Sequence, residues 1–339
     1  MHCEIQILVV RLNASQRKGY FMSDYCVAFL DILGFSNYVN EDLNGALKLL
    51  KSYNNQINFL FNEDLISYDD TIKEIAERSH ISSFDYFIPF SDSIFIVSSS
   101  PDLMVSQISN FLISCFKYTS SEYAYSSSKD PRKVEVTEIG INIDGTVRNE
   151  KKIENWYPLL FRVGSSFGEV IPFQISSIDN KKNIKINNFA GKSVINAVKL
   201  ESNPEKGPRF FIDNDLYKKL NTDTKNYIIK ISDNLFEVLW PSFSYIEENI
   251  GHEGERFEIE MINHFDEIFI SSFNLWKYFL NNERLYSHYY NFMKLIILST
   301  LNYSKKFNKL DLAKEYINRI LDNNKIKLDI IDLIGSHFM

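Results

Sequence analysis

The sequence predicts an α+β fold followed by a helical C-terminal extension, and three observations carry that expectation. A continuous apolar run, Val27 to Leu30, delivers one carboxylate, Asp31, before the chain turns at Gly34. Two further apolar runs, from Phe87 and from Ile94, meet at the tight turn Ser91-Asp92-Ser93. Both strand-like stretches are followed by segments with apolar residues at helical spacing, and beyond Gly254 the pattern is helical with no Pro or Gly until Gly335. With 45% apolar residues in 339, the chain can bury a large core in one or two domains.

Taken in order, residues 1–22 read as an N-terminal extension. They make a poor signal peptide, because Glu4 precedes a short run, Ile5 to Val10, with no small-residue cleavage site after it. Met22 is an alternative start. Residues 23–245 read as the main α+β domain and 246–339 as a helical region that serves packing or dimerisation. Tyr25 to Ile32 reads as a strand buried on both faces and residues 41–62 as a long helix. Residues 87–97 read as a hairpin with an acid at its tip, and 102–118 as a second helix. From Thr119 to about residue 158 the chain turns polar, a surface insertion that is either a solvated loop or a lid. Strands are expected at Leu159–Val163 and Glu169–Phe173, a turn over Asp179 to Lys185, and a helix from about Lys192.

Composition narrows the partners. A net charge of −7 points away from nucleic acid and anionic membrane surfaces. Cys3, Cys26 and Cys115 show no paired or metal-ligand spacing and read as reduced thiols of a cytoplasmic protein. His80, His252, His264 and His288 likewise lack ligand spacing and read as structural. The longest apolar runs, such as Phe292 to Leu301, are far short of the ~20 residues a membrane helix needs.

Asp31 and Asp92 are hard oxygen ligands on strand ends, the type of donor that holds Mg²⁺ together with substrate phosphates. Gly34 lets backbone approach a phosphate closely, and successive N–H groups there can form an anion nest. The competing reading is that Asp31 is an ordinary helix N-cap.

Four motifs then resemble, in order, those of the class III nucleotide cyclases. Asp31-Ile-Leu-Gly-Phe resembles the first metal motif and Phe90-Ser-Asp-Ser-Ile the second. Arg162-Val-Gly-Ser-Ser-Phe-Gly-Glu-Val resembles the strand before the family's glycine turn, and Gly191-Lys-Ser-Val-Ile-Asn-Ala-Val-Lys-Leu-Glu its transition-state helix. The resemblance implies a ferredoxin-like βαββαβ core with additions. It implies attack of the ribose 3′-oxygen on the α-phosphorus of a nucleoside triphosphate, with two Mg²⁺ or Mn²⁺ ions per site. Asp31, Asp92 and the Ile32 carbonyl would hold the ions, and the Gly34 and Phe35 N–H groups would meet the phosphates. It also implies a homodimer whose sites are shared between chains.

The departures from the family pattern carry information as well. Where the family places an Asn and, four residues on, an Arg, this chain has Ile195 and Lys199. Lys199 can neutralise developing charge without the planar fork of Arg. Asn196 is a possible substitute for the missing amide, one residue and about 100° around the helix from its place. At the two base-reading positions stand Ile88 and Asn188. Ile88 cannot bond a purine edge, whereas Asn188 can donate and accept toward uracil or, flipped, cytosine. This is similar to the pyrimidine cyclases of Pycsar antiphage defence, which make cyclic UMP or cyclic CMP for a separate effector. A purine cyclase and a catalytically inactive nucleotide-binding module are the alternatives.

Overall fold

The computed structural model describes residues 23–62, 82–125, 133–142, 145–179, 182–243 and 255–323. The N-terminal extension, Cys3, His80, His252 and residues 324–339 lie outside them, and so does the side chain of His264.

The fold grows from strand β1 (Ser23–Ile32), whose apolar run buries alternate residues on opposite faces. Helices α1 (Phe35–Glu41) and α2 (Leu43–Asn62) follow, the second burying Ala46, Leu49, Tyr53 and Ile57 along one stripe. Strands β2 (Tyr86–Phe90) and β3 (Ser93–Ser98) form the expected hairpin, with Ser91 at φ 57° in its turn. Helix α3 (Pro101–Tyr125) then leads through strands β4 (Lys133–Ile141) and β5 (Val147–Asn155) into β6 (Phe161–Asp179). Next come β7 (Lys182–Ala190), α4 (Lys192–Glu201), β8 (Phe210–Asp213), α5 (Asn214–Lys219) and α6 (Thr222–Lys225). Strands β9 (Ile228–Ser232) and β10 (Leu235–Val238) and a 3₁₀ turn at Trp240–Phe243 precede three helices, α7 (Glu255–Tyr278), α8 (Glu283–Lys306) and α9 (Leu310–Asn323).

The main sheet runs β2-β3-β1-β6-β8-β10-β9, with β7 added to the far half of β6. All its pairings are antiparallel except β6 with β8. The fold is thus α+β, with the helical extension expected at the C-terminal end.

Three expectations are corrected. Asp31 is a strand residue and not an N-cap; α1 is entered through Gly34, at φ 81°. The polar stretch from Thr119 is not one loop. Helix α3 continues to Tyr125 because Thr119 and Ser120 face the interior, where the Thr119 hydroxyl bonds the Cys115 carbonyl. Residues 133–155 then pair into a two-stranded ribbon. Finally, the two strands expected at 159–163 and 169–173 are one strand, β6, whose first half pairs with β1 and whose second half pairs with β7.

Each sheet face has its own apolar cluster. Ala28, Leu30, Ile32, Ile94 and Ile96 point into the large core shared with α2 and α3. The C-terminal helices join this same core: Phe292 of α8 packs on Phe116 of α3 and on Trp240, and the Ser271 hydroxyl donates to the Ser120 carbonyl. His288 is structural, as expected. Its Nδ1 accepts the Gly207 N–H at 3.0 Å, and burial and nearby cations hold its pKa down at about 4. Cys26 and Cys115 are free and buried. Among the described residues no helix is long and apolar enough to cross a membrane.

On the opposite face, Val27 packs with Val97, Val170, Phe189 and Ala197 under α4. Here the helix lies directly on β6 at Gly164. A Cβ at that residue would collide with the Ala197 carbonyl oxygen and the Glu201 nitrogen, both backbone atoms of α4. Gly164→Ala is therefore expected to lift the helix and destabilise the protein by about 3 kcal/mol. Gly140→Ala in the ribbon, where the nearest atom is 3.9 Å from the added carbon, should be tolerated. Urea unfolding midpoints of the two variants check the contrast.

Candidate active site

Strand register builds the site. In the pairing of β2, β3, β1 and β6, residues Phe90, Ser93, Asp31 and Arg162 lie opposite one another in one row. Directly opposed residues share a face, so Asp31 sits between a hydroxyl and a guanidinium. The Ser93 hydroxyl donates to Asp31 Oδ1 at 2.7 Å. The neighbouring backbone ties the two acid-bearing segments together, since the Ile32 N–H donates to the Asp92 carbonyl at 3.0 Å. A second tie, Leu33 N–H to the Leu160 carbonyl at 2.8 Å, fixes where the chain leaves the strand.

Gly34 then turns with positive φ into α1, and its carbonyl receives the Asn37 and Tyr38 N–H groups. The Phe35 ring is buried and anchors the turn. Its N–H opens the helix, where first-turn donors have no intrahelical acceptor. Asp31, Ile32, Gly34 and Phe35 thus follow one another in a short stretch of backbone, to which the Ile32–Asp92 bond ties the turn that carries Asp92.

Burial pushes the Asp31 carboxyl up to about 7, the Glu201 and Asp92 carboxylates add to the rise, and Ser93 and Arg162 oppose it. Glu201, the last residue of α4, is itself buried and raised by burial. Arg162 balances both acids. It pairs with the Glu201 carboxylate at 3.4 Å and also donates to the Glu201 and Asn203 carbonyls at the end of α4. Ser93, Arg162 and Glu201 are site residues that sequence reasoning did not single out. Their residues stood inside quoted motifs, but what they touch follows from register alone.

Among the described residues, no group of three or more His, Cys, Asp or Glu side chains converges in the manner of an all-protein metal cage. Two carboxylates with a backbone carbonyl fit Mg²⁺ or Mn²⁺ better. Such ions keep several waters and take substrate phosphates as the remaining ligands. A buried Asp31 beside two other carboxylates is also a site where added positive charge is favourable.

The remaining candidates fall elsewhere. Ile88 is half-buried in the cluster with Phe95, Phe29 and Phe189, whose rings contact one another. Asn188 is half-buried on β7; strand alternation puts its side chain on the face away from Phe189, and its Oδ1 accepts the Phe189 N–H at 2.8 Å. On α4, Ser193, Ala197 and Glu201 are buried toward the sheet. At about 100° per residue, Ile195 and Lys199 then point directly away from it and Asn196 lies to one side. Lys199 is exposed.

No family model matches the chain, and no curated protein matches it. Several solved structures are similar at low identity. The guanylyl cyclase Cya2 is 15% identical, with 65% of this chain and 94% of that one covered at a TM-score of 0.40. The adenylyl cyclase CyaB from P. aeruginosa is 14% identical, with 65% and 95% covered at 0.37. An adenylate cyclase from Trypanosoma brucei is 14% identical, with 64% and 90% covered at 0.37.

The raised carboxyl has a measurable consequence in metal-free protein. A folded-state pKa near 7 against 3.8 unfolded means the native state holds a proton that the unfolded chain has lost between those values. Stability from this group is therefore complete below pH 4 and lost as pH rises toward 7, by on the order of 3 kcal/mol. Asp31→Asn keeps an acceptor for Ser93 and cannot ionise. It should be more stable than wild type at pH 8 and no more stable at pH 3.5, by urea unfolding in chelator. Adding Mn²⁺ at pH 8 should stabilise wild type and leave the variant unmoved.

Proposed function

We propose that this chain is a class III nucleotide cyclase that closes UTP, or CTP, to its 3′,5′-cyclic nucleotide. The observation that carries the reading is the seating of Asp31 and Asp92 side by side at the end of β1, joined through the Ile32–Asp92 backbone bond. In this reaction the ribose 3′-oxygen bonds to the α-phosphorus as the bond to the β-phosphate bridging oxygen breaks. The hydroxyl proton is lost and diphosphate leaves. Asp31, Asp92 and the Ile32 carbonyl hold the divalent cations, which supply the charge that favours the ionised hydroxyl and the leaving diphosphate. The Gly34 and Phe35 N–H groups orient the phosphates, so catalysis is mainly positioning and electrostatics.

Helix α4 supports a shared site. Ile195 and Lys199 face away from their own sheet, which supports a role for Lys199, with Asn196 beside it, toward the metal acids of a second chain. Lys199 then neutralises charge developing at the α-phosphate. The apolar side chain of Ile88 supports a small base, because it cannot pair a purine edge and an unpaired polar group typically costs ~1–3 kcal/mol. Asn188 retains its amide donors while its oxygen bonds Phe189. The cyclic product would act as a messenger to a separate effector in phage defence, a role that rests on the motif resemblance. A second reading, an inactive nucleotide-binding module, is favoured by one observation: Ile195 occupies the outward stripe where the family has its amide.

Purified protein incubated with all four nucleoside triphosphates and Mn²⁺ or Mg²⁺ should release cyclic UMP or cyclic CMP, resolved by mass spectrometry. Cyclic AMP or cyclic GMP as main product would overturn the base assignment, and no product at all would leave the inactive module. Asp31→Asn and Asp92→Asn should each abolish turnover while the fold is kept. Mixing Asp31→Asn with Lys199→Ala should restore part of it through heterodimers with one intact site. No recovery after demonstrated subunit exchange would place the site within one chain. Asn188→Ala should lower pyrimidine turnover at least tenfold with little change in unfolding midpoint.

A further inference from the structure

The ribbon of β4 and β5 stands outside the main sheet, its two strands pairing only with each other among the described residues. Its base is fastened beside the site. Tyr157 lies 4.4 Å from the Tyr38 ring, Asn155 donates to Asp42 at 2.9 Å, and Lys48 binds Glu154. Beyond that base the described side chains of the hairpin are exposed. Ile139, Ile141, Val147 and Ile153 share one face and are between 64 and 78% exposed. A two-stranded hairpin alone is marginal in water, so this one gains from any further strand.

The hydrogen-bond parity of the ribbon says which groups β5 offers. The Asn142 N–H donates to the Thr146 carbonyl at 2.9 Å, closing the hairpin. Antiparallel pairs alternate between bonded and non-bonded, so even-numbered residues of β5 bond inward to β4. The odd ones, Val147, Asn149, Lys151, Ile153 and Asn155, direct N–H and C=O outward. Such a row is a template for another strand.

The even-numbered side chains supply the selectivity. Arg148, Glu150, Lys152 and Glu154 alternate in sign along one face. Within the protomer Arg148 binds Glu150, and Lys152 lies 3.3 Å from Glu154. We propose that β5 is a self-docking edge. Two copies of the chain pair their β5 strands antiparallel about a twofold axis through Lys151, joining two ribbons into one four-stranded sheet.

That register sets Arg148 opposite Glu154 of the second copy and Glu150 opposite its Lys152, so every charge on the face meets its opposite. Moving the axis by one residue, to Glu150, would bring Glu150 against Glu150 and Arg148 against Lys152. At the axis, each Lys151 keeps its own Glu135 at 2.6 Å. The outer face then carries Ile139 and Ile153 of both copies on a continuous surface.

The test is cross-linking of the full chain in a Cys3→Ser background, with buried Cys26 and Cys115 unchanged. A bonded antiparallel pair places its Cα atoms about 5.5 Å apart, within disulfide range. Lys151→Cys should therefore form a disulfide-linked dimer under mild oxidation at least tenfold faster than Thr137→Cys, which is equally exposed on β4. Adding Glu150→Lys should slow the Lys151→Cys reaction about tenfold. The swap Glu150→Lys with Lys152→Glu should restore it. Equal rates at residues 137 and 151, or a rate indifferent to Glu150→Lys, would overturn the proposal. Because the readout is a non-reducing gel without nucleotide, its failure is separate from any failure of the cyclase reading.

Discussion

The structure depends on the register of β1 between β3 and β6. A one-residue slip in a strand exchanges its faces. Here it would carry Asp31 into the large core among Leu30 and Ile32 and bring an apolar side chain to the Ser93–Arg162 row. Burial of both faces of β1 makes that slip costly, because Val27 and Ala28 are each fully buried on opposite sides. The core therefore positions the acid. The Ile32–Asp92 and Leu33–Leu160 backbone bonds then fix the turn that leaves the strand, so the second acid is placed by the same register.

Around that acid the charges are arranged so that none is left alone. Asp31, Glu201 and Asp92 form an acidic group in a partly buried place, and Arg162 is the cation that faces it from β6. Arg162 also grips the C-terminal carbonyls of α4, where a cation is favoured by the helix dipole. One side chain thus links the strand that carries Asp31 to the helix that carries Lys199. The close approach at Gly164 makes this link possible, since a larger residue would hold α4 away and take Glu201 out of reach.

Much of this was legible in the sequence where local rules decide. The apolar run before Asp31, the hairpin at Asp92 and the helix from Lys192 all follow from periodicity and turn residues. What could not be read depends on distant partners. Polar Thr119 and Ser120 look like loop residues until a helix 150 residues later, through Ser271, gives them a buried neighbour. Strand β5 is charged at nearly every second position and shows no apolar periodicity, because it is exposed along nearly its whole length. Arg162 and Glu201 are ordinary surface types whose pairing exists only once β6 and α4 are stacked. The roles given to Ile88, Asn188, Asn196 and Lys199 rest on position in motifs, supported by which way α4 and β7 turn their side chains.

The way the chain treats its strand edges separates the ribbon from the rest. At one end of the main sheet β2 carries Pro89, which lacks the N–H a further strand would need. At the other end β9 carries Lys230, and its pairing with β10 is broken by an irregularity near Leu235. Both are devices that blunt an edge. The outer edge of β5 has neither proline nor bulge. Its charges also differ in kind from the single lysine of β9, because they alternate in sign and so repel a random strand less than they select a complementary one. A chain that blunts the edges at β2 and β9 and leaves that of β5 without proline or bulge, with a charge pattern complementary to itself, has an edge shaped for its own copy.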